Sequence, residues 1–185
     1  MRIAAFDIET TDLKAFMGTL LCCSFQPILP PECKQPKAYT IALEIEPGNT
    51  DPNPDKELAM AIREELTKYD MVVSWNGKMF DVPFVNARLL KHRELPLQIK
   101  FHLDAMYCAG YSANRIGSKK LENVQQFLDL PSSKTKLDWD IWKMAMKGNG
   151  EALKQVIHHC EQDVKVLAEA YWRFLPYVRN LNRLG

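Results

Sequence analysis

The first predicted strand of this chain ends in two carboxylates that face the same way. An apolar run from Ile3 to Phe6 predicts a buried strand, and Asp7 and Glu9 follow it in the same register. Because side chains alternate between the two faces of a strand, both carboxylates are expected on one face. Like charges held side by side repel each other and lose hydration, a cost that divalent cations would offset. A pair of metal ions that clamps both oxygens of a displacement at phosphorus is one catalytic use of such a site.

The order of apolar segments predicts an α/β fold. Strands are expected at about residues 1–9, 18–25, 38–45, 71–75 and 98–103. Helices are expected after the capping pair Asn53-Pro54 and at about 81–95, 104–111, 119–129, 139–147 and 151–175. Short links favour antiparallel pairing of the first three strands, and helical connections favour parallel pairing of the last two. The prediction is a mixed five-stranded sheet flanked by helices.

The composition is that of a globular protein. The 185 residues are 46% hydrophobic and 25% charged, and this length predicts a single domain over residues 1–185. The net charge of +1 gives no global basic signature, so a polyanionic ligand would depend on local patches and bound metal.

The cysteines and the absence of long apolar stretches bear on location. Five cysteines without regular spacing favour reduced thiols and argue against a zinc site. No stretch approaches the roughly 20 apolar residues of a membrane span. The interpretation is a cytoplasmic protein without a membrane partner, with a virus-encoded protein made in that compartment as an alternative.

Two further carboxylates stand in notable positions. Asp81 follows a strand and a turn, close to a predicted helix start, where helix capping is an equally good interpretation. Asp163 lies on or beside the apolar stripe of the last helix, an unusual place for a carboxylate. His159 precedes Asp163 by four residues and shares its helix face, whereas His158 lies roughly 140° around the helix.

Together these segments resemble the motifs of a known family. Phe-Asp-Ile-Glu-Thr-Thr at 6–11, Asn-x-x-x-Phe-Asp at 76–81 and His-x-x-x-Asp-Val at 159–164 are similar to the three motifs of the DEDD (DnaQ-like) 3′–5′ exonucleases. The flanking segments 75–84 and 116–124 resemble the branch that contains the proofreading domains of B-family polymerases and their free-standing relatives. The resemblance implies a ribonuclease H-like fold, in agreement with the predicted element order.

The resemblance also implies a site for two divalent cations, Mg²⁺ or Mn²⁺, bound by hard oxygen ligands. The implied metal ligands are Asp7, Glu9, Asp81 and Asp163. His159 would orient or deprotonate the attacking water. One subfamily places tyrosine four residues before the last aspartate and the other places histidine five residues before it, so His158 is the alternative to His159.

The implied substrate is single-stranded DNA or RNA with a free 3′ end, with DNA favoured. Thr10 and Thr11 would contact the terminal nucleotide, Asn76 the sugar-phosphate backbone, and Phe80 the scissile end. A turn residue and a core residue are the alternatives for Asn76 and Phe80. Candidate basic contacts, for which a solvated surface is the alternative, are Arg115, Lys119, Lys120, Lys134, Lys136, Arg173, Arg179 and Arg183. Candidate stacking residues are Tyr111, Trp139 and Trp142.

Three functions follow from these observations. The first is a metal-dependent 3′–5′ exonuclease that releases nucleoside monophosphates and would proofread only with a separate polymerase or replication protein. The second is a catalytically silent nucleic-acid-binding or accessory module of the same fold. The third is a ribonuclease H-like endonuclease.

Overall fold

The computed structural model describes residues 1–44, 51, 54–110, 114–133 and 135–178. Its strands are β1 (Ile3–Thr10), β2 (Leu20–Ile28), β3 (Tyr39–Ala42), β4 (Met71–Ser74) and β5 (Phe101–Asp104). Its helices are α1 (Lys56–Thr67), α2 (Asp81–Lys91), α3 (Met106–Ala109), α4 (Leu121–Phe127), α5 (Trp139–Met146) and α6 (Gly150–Phe174). A 3₁₀ turn at Leu175–Tyr177 follows α6.

The five strands form one mixed sheet in the order β3-β2-β1-β4-β5. β2 pairs antiparallel with both β1 and β3, whereas β4 pairs parallel with both β1 and β5. The α/β class and the mixed pairing predicted from the sequence are confirmed, because short links return the chain antiparallel and helical crossovers return it parallel. β1 is therefore the central strand, and its carboxyl end carries Asp7 and Glu9.

Helix α6 supplies the longest apolar face against the sheet. Its inward side chains recur at helical spacing, and Val156, Cys160 and Leu167 are almost completely buried. Asn149 caps the helix by accepting a hydrogen bond from the Ala152 N–H at 3.0 Å. The predicted long final helix is therefore present, and it passes over the central strand.

Several predicted boundaries shift in the structure. α1 begins at Lys56 with Asp55 at the N-cap position, after the predicted Asn53-Pro54 start. Asn53 itself lies outside the described residues. α2 ends at Lys91 and β5 begins at Phe101, so both are shorter than predicted.

The Asp55 side chain forms a buried ion pair with Arg88 and makes no capping hydrogen bond to α1. Its carboxylate accepts hydrogen bonds from the Arg88 guanidinium at 2.7 Å through both oxygens, and from the Leu20 N–H at 2.9 Å. Burial would raise the pKa of Asp55, but these hydrogen bonds and the Arg88 charge hold it below its ordinary value. Arg88 also donates to the Ala15 carbonyl at 3.2 Å, so the pair ties α2 to the segment that follows β1.

None of the helices in the described part of the chain combines the length and apolarity needed to cross a membrane.

Candidate metal centre

Asp7, Glu9 and Cys160 bring their side-chain ligand atoms together at the end of β1. One oxygen from each carboxylate and the Cys160 sulfur lie within 4.8 Å of one another. The Cys160 thiol lies 3.3 Å from the Asp7 carbonyl oxygen and 3.6 Å from Asp7 Oδ2. Period-two alternation of the strand places both carboxylates on one face, as predicted. The structure adds that this face lies beside Cys160 of α6.

The donor set of this cluster suits a hard divalent cation. Burial raises the pKa of Cys160 well above its ordinary value, and the neighbouring Cys22, Asp7 and Glu9 add to the shift. The thiol is therefore protonated at neutral pH, which leaves the two carboxylates as the charged ligands. Carboxylate oxygens are the ligands that Mg²⁺ and Mn²⁺ prefer. Only its place in the apolar stripe of the helix marks Cys160 in the sequence, and that place does not predict a position beside Asp7 and Glu9.

Asp81 approaches β1 from helix α2. It is the first residue of α2, is 2% exposed, and accepts the Ile8 N–H through Oδ1 at 3.1 Å. Asp81 is not one of the three residues whose ligand atoms lie within 4.8 Å of one another. It is hydrogen-bonded to Ile8, which is the residue between Asp7 and Glu9 on β1. No side-chain cap is formed at the start of α2, whose N-cap position is Phe80.

Asp81 sits in an environment that disfavours its charge. Burial raises the pKa of this carboxyl to about 7, the Asp104 charge adds to the rise, and the Ile8 N–H opposes it. A nearby divalent cation would reverse this balance by favouring the carboxylate. Without a cation, the charged form of Asp81 is thus destabilised by its surroundings. A cation nearby would favour that charged form.

Helix α6 contributes His159 and Asp163 on successive turns. Asp163 is 7% exposed, a carboxylate inside the packed face of the helix. His159 Nε2 lies 3.9 Å from Glu9 Oε1, and its Nδ1 lies 2.7 Å from Thr135 Oγ1. His158 is exposed on the outer face of the helix. The helical geometry thus places His159, and not His158, beside the acidic cluster.

Asp104 organises the segment between β4 and α2. Its buried carboxylate accepts three backbone N–H groups, from Asn76 at 2.8 Å, Lys78 at 3.1 Å and Met106 at 3.2 Å. Asn76 has a φ of 64°, a left-handed conformation that asparagine tolerates. Asp104 therefore fixes the approach to Asp81. Its position at a strand end, before a helix, is the sequence signal that could have assigned this role.

Gly77 leaves no room for a side chain beside Asp81. A Cβ at this position would collide with Ser74 Oγ and would lie 3.2 Å from Asp81 Oδ2. Ser74 cannot easily move, because its hydroxyl lies 2.7 Å from His102 Nε2 in a hydrogen bond. Gly77→Ala is therefore expected to lower the free energy of unfolding by about 1–3 kcal/mol, the usual effect of overpacking.

Urea denaturation of the variant and wild type checks this value. Gly150→Ala is the matched control, since a Cβ there has nothing within 4 Å, and it should leave stability within about 1 kcal/mol of wild type. Equal stabilities of the Gly77→Ala variant and wild type would contradict the close contact.

The other predicted substrate residues have structural partners. The Thr11 hydroxyl accepts the Thr19 N–H at 2.8 Å and closes the loop after β1, while the Thr10 hydroxyl donates to the Asp12 carbonyl at 2.8 Å. Phe80 is partly buried against the core, with its ring centroid 5.6 Å from that of Phe84. These contacts account for the three side chains structurally; their roles toward substrate stay predictions.

A surface groove of about 860 Å³ has His159 among its lining residues. Its lining residues include Trp75, Asn76, Lys119, Lys120, Thr135, Lys136 and His159. Trp75, which sequence reasoning did not single out as a stacking residue, donates its indole N–H to the Lys119 carbonyl at 2.9 Å. Three of the candidate lysines and one aromatic side chain thus share a groove with the candidate base.

The remaining basic and aromatic candidates lie in different places. Arg173 lines a separate cavity beside Trp172, and Trp142 packs edge-on against His159 with ring centroids 6.0 Å apart. Arg115 and Trp139 are exposed and are not among the residues that line the groove. The candidates that lie outside the described residues are Tyr111, Lys134, Arg179 and Arg183.

Comparisons with known proteins agree with this architecture. A family model described as the RNase H superfamily matches residues 4–173. Among solved structures, the family B DNA polymerase of the hyperthermophilic archaeon Pyrobaculum calidifontis has a similar fold, with a TM-score of 0.73 at 13% sequence identity. The similarity covers 100% of this chain and 27% of the polymerase chain, so this chain spans about a quarter of that protein. A search of curated protein sequences found no match.

Proposed function

This chain belongs to the RNase H superfamily, and we propose that within it the protein is a metal-dependent 3′–5′ exonuclease of the DEDD type. It would release nucleoside monophosphates from single-stranded nucleic acid, with DNA favoured. The observation that carries the proposal is the convergence of Asp7 and Glu9 with the helix that bears His159 and Asp163, while Asp81 docks on the same strand. Nucleases of this superfamily generally use divalent metal ions, and this acidic cluster supports that use here.

In this proposal four carboxylates hold two divalent cations, Mg²⁺ or Mn²⁺. The ligands would be Asp7, Glu9, Asp81 and Asp163, as the sequence motifs imply. Bound cations would supply charge stabilisation to the attacking and leaving oxygens of an in-line displacement. The protein's own contribution is to hold Asp7 and Glu9 on one face of β1 and to exclude bulk water from Asp81 and Asp163, which are 2% and 7% exposed.

His159 is the proposed general base. Its Nε2 faces the acidic cluster, and its side chain is 14% exposed, so it can reach a water molecule at the cluster from a largely enclosed position. Proton transfer from a positioned water of this kind typically contributes about 10²–10⁴-fold to the rate.

The groove supports a single-stranded substrate. Lysines on its walls can contact phosphates, and Trp75 offers an aromatic face for a base. Since the groove includes His159, which lies 3.9 Å from Glu9, a strand lying in it would pass close to the acidic cluster. Thr10, Thr11, Asn76 and Phe80 are retained as proposed contacts to the terminal nucleotides.

A labelled oligonucleotide tests the activity. A single-stranded DNA with a 5′ label, incubated with Mn²⁺, should shorten progressively from its 3′ end and release nucleoside monophosphates, and EDTA should stop the reaction. A gel shift without products would favour the catalytically silent binding module. Cutting of a circular single strand would favour the endonuclease and overturn the end-specific assignment.

The fold similarity also bears on partners. The polymerase with the similar fold is a longer chain, of which this protein matches 27%. We extend the proposal to a separate polymerase or replication protein as the partner that would use this activity for proofreading. A single-domain organisation and a cytoplasmic location stay predictions from the sequence.

Removing two groove lysines should weaken substrate binding in a salt-dependent way. The double variant Lys119→Ala/Lys120→Ala is expected to reduce the slope of log affinity against log salt by about 0.7 for each lost phosphate contact. Fluorescence anisotropy with labelled single-stranded DNA and Ca²⁺ in place of Mg²⁺ measures this slope. Lys100→Ala is the control, because Lys100 pairs with Asp70 at 3.1 Å before β5 and is not among the groove residues. Equal slopes for the double variant and wild type would remove these lysines from the binding surface.

A further inference from the structure

Thr135 makes a short contact with the candidate base. Its Oγ1 lies 2.7 Å from His159 Nδ1, whereas His159 Nε2 lies 3.9 Å from Glu9 Oε1. The two ring nitrogens thus have different surroundings: a neutral hydroxyl on one side and the acidic cluster on the other. Thr135 comes from the segment between α4 and α5, outside all three sequence motifs.

The imidazole ring is held from a second direction by α5. Trp142 packs against it edge-on, with an interplanar angle of 84° and centroids 6.0 Å apart. This contact limits tilting of the ring but offers no hydrogen bond to Nδ1. Thr135 is therefore a side chain that can select which ring nitrogen carries the proton.

We propose that Thr135 is a positioning residue that accepts the His159 Nδ1–H and so presents an unprotonated Nε2 to the acidic cluster. The catalytic consequence of this inference rests on the proposed function. The hydrogen bond between Thr135 and His159 does not depend on that function. A neutral imidazole has one donor nitrogen and one acceptor nitrogen, and the partner of one determines what the other can do. A threonine hydroxyl can accept from Nδ1–H without any heavy-atom movement.

The proton inventory of the step is consistent with this arrangement. Nε2 takes one proton from the attacking water, which gives an imidazolium and hydroxide. The hydroxide oxygen forms a bond to phosphorus, and the bond from phosphorus to the 3′ oxygen of the preceding nucleotide breaks. The 3′ oxygen gains a proton from solvent, and the imidazolium returns its proton to solvent. Throughout, Nδ1–H stays a donor to Thr135, so the ring keeps one orientation as its charge changes.

Threonine offers two informative substitutions. Thr135→Val keeps the branched shape and removes the hydroxyl, whereas Thr135→Ser keeps the hydroxyl and removes a methyl group. A purely packing role would be disturbed more by serine, and a hydrogen-bonding role more by valine.

The tautomer of His159 tests the proposal directly. Long-range ¹H–¹⁵N correlation spectra of ¹⁵N-histidine-labelled protein, in Mg²⁺ buffer at pH 8, would report which ring nitrogen is protonated. The protein has four histidines, and His159→Gln assigns the signal. Wild type and Thr135→Ser should show Nδ1-protonated His159, and Thr135→Val should shift toward the Nε2-protonated form. An Nε2-protonated ring in wild type, or the same tautomer in all three proteins, would overturn the proposal.

Kinetics separate this role from the function itself. With single-stranded DNA, Thr135→Val should lower kcat about tenfold, within the range that general-base help supplies, while KM stays unchanged and Thr135→Ser restores most of the rate. Unchanged kcat in Thr135→Val, in an active enzyme, would overturn the positioning role. Wild type could hydrolyse nothing and still have Nδ1-protonated His159, with a different tautomer in Thr135→Val. In that case the proposed function fails, but the positioning contact between Thr135 and His159 stands.

Discussion

Asp7→Ala is expected to abolish hydrolysis while the protein remains folded. Asp7 contributes one of the two carboxylates in the cluster with Glu9 and Cys160, so its loss removes a proposed metal ligand. Several kcal/mol of transition-state stabilisation by metal corresponds to a rate loss of at least about 10³-fold. The fold should survive, since the substitution also relieves repulsion between Asp7 and Glu9 on one face of β1.

Rate and fold are measured separately for this variant. Release of nucleotides from a 5′-labelled strand gives the rate, and circular dichroism with thermal melting gives the fold. Glu151→Ala is the matched control, because its carboxylate is 80% exposed at the start of α6 and pairs only with the neighbouring Lys154 among the described contacts. Near-normal hydrolysis by Asp7→Ala would rule out the two-metal mechanism for this chain.

Asp81→Asn is expected to make the metal-free protein more stable and the enzyme inactive. Burial raises the pKa of Asp81 to about 7 from an ordinary value of 3.8. A folded-state pKa above the unfolded value means that the folded protein binds the proton more tightly. The stability contributed by this group is therefore complete below about pH 4 and is lost as the pH rises through about 7. Asparagine does not ionise and keeps an acceptor for the Ile8 N–H.

The predicted gain has a sign and a pH range that can be measured. In EDTA at pH 8, urea denaturation should show Asp81→Asn more stable than wild type by roughly 2–4 kcal/mol, and the difference should shrink as the pH falls toward 4. Adding Mg²⁺ should stabilise wild type more than the variant, since the variant lacks a ligand charge. Hydrolysis should fall by several orders of magnitude in the same variant.

An exposed aspartate provides the comparison. Asp140→Asn changes a carboxylate whose side chain is 75% exposed, and its effect should be within about 0.5 kcal/mol at either pH. If Asp81→Asn does not raise the free energy of unfolding, or raises it equally at every pH, the surroundings of the Asp81 carboxyl do not disfavour its charge.

Much of the fold could be predicted because its signals are local. The strand that carries Asp7 and Glu9 is apolar and alternates with period two, and the helix that carries Asp163 repeats at helical spacing. Both patterns depend only on neighbours in the chain, and both elements are present where expected. α1 begins two residues later than predicted, and the carboxylate of its N-cap residue Asp55 pairs with Arg88, 33 residues away, a contact that leaves no trace in a local pattern.

The candidate site, like the fold, could be predicted only in part from the sequence. The identity of its carboxylates came from motif resemblance, and alternation along β1 predicted that two of them share a face. The docking of Asp81 on the Ile8 N–H joins residues 73 positions apart, and the contact of Cys160 with Asp7 joins residues 153 apart. These contacts depend on the packing of α2 and α6 against one strand, which sequence spacing does not specify.

The amino-acid sequence by itself determined the order of strands and helices and the common face of Asp7 and Glu9, because hydrophobic periodicity and strand alternation act between neighbouring residues. Only the tertiary structure decided that His159 faces Glu9 while His158 faces solvent, that Thr135 contacts His159, and that the Asp81 carboxyl is buried enough to disfavour its charge. Those properties arise from desolvation and from contacts between distant segments, and they exist only once the helices have packed on the sheet.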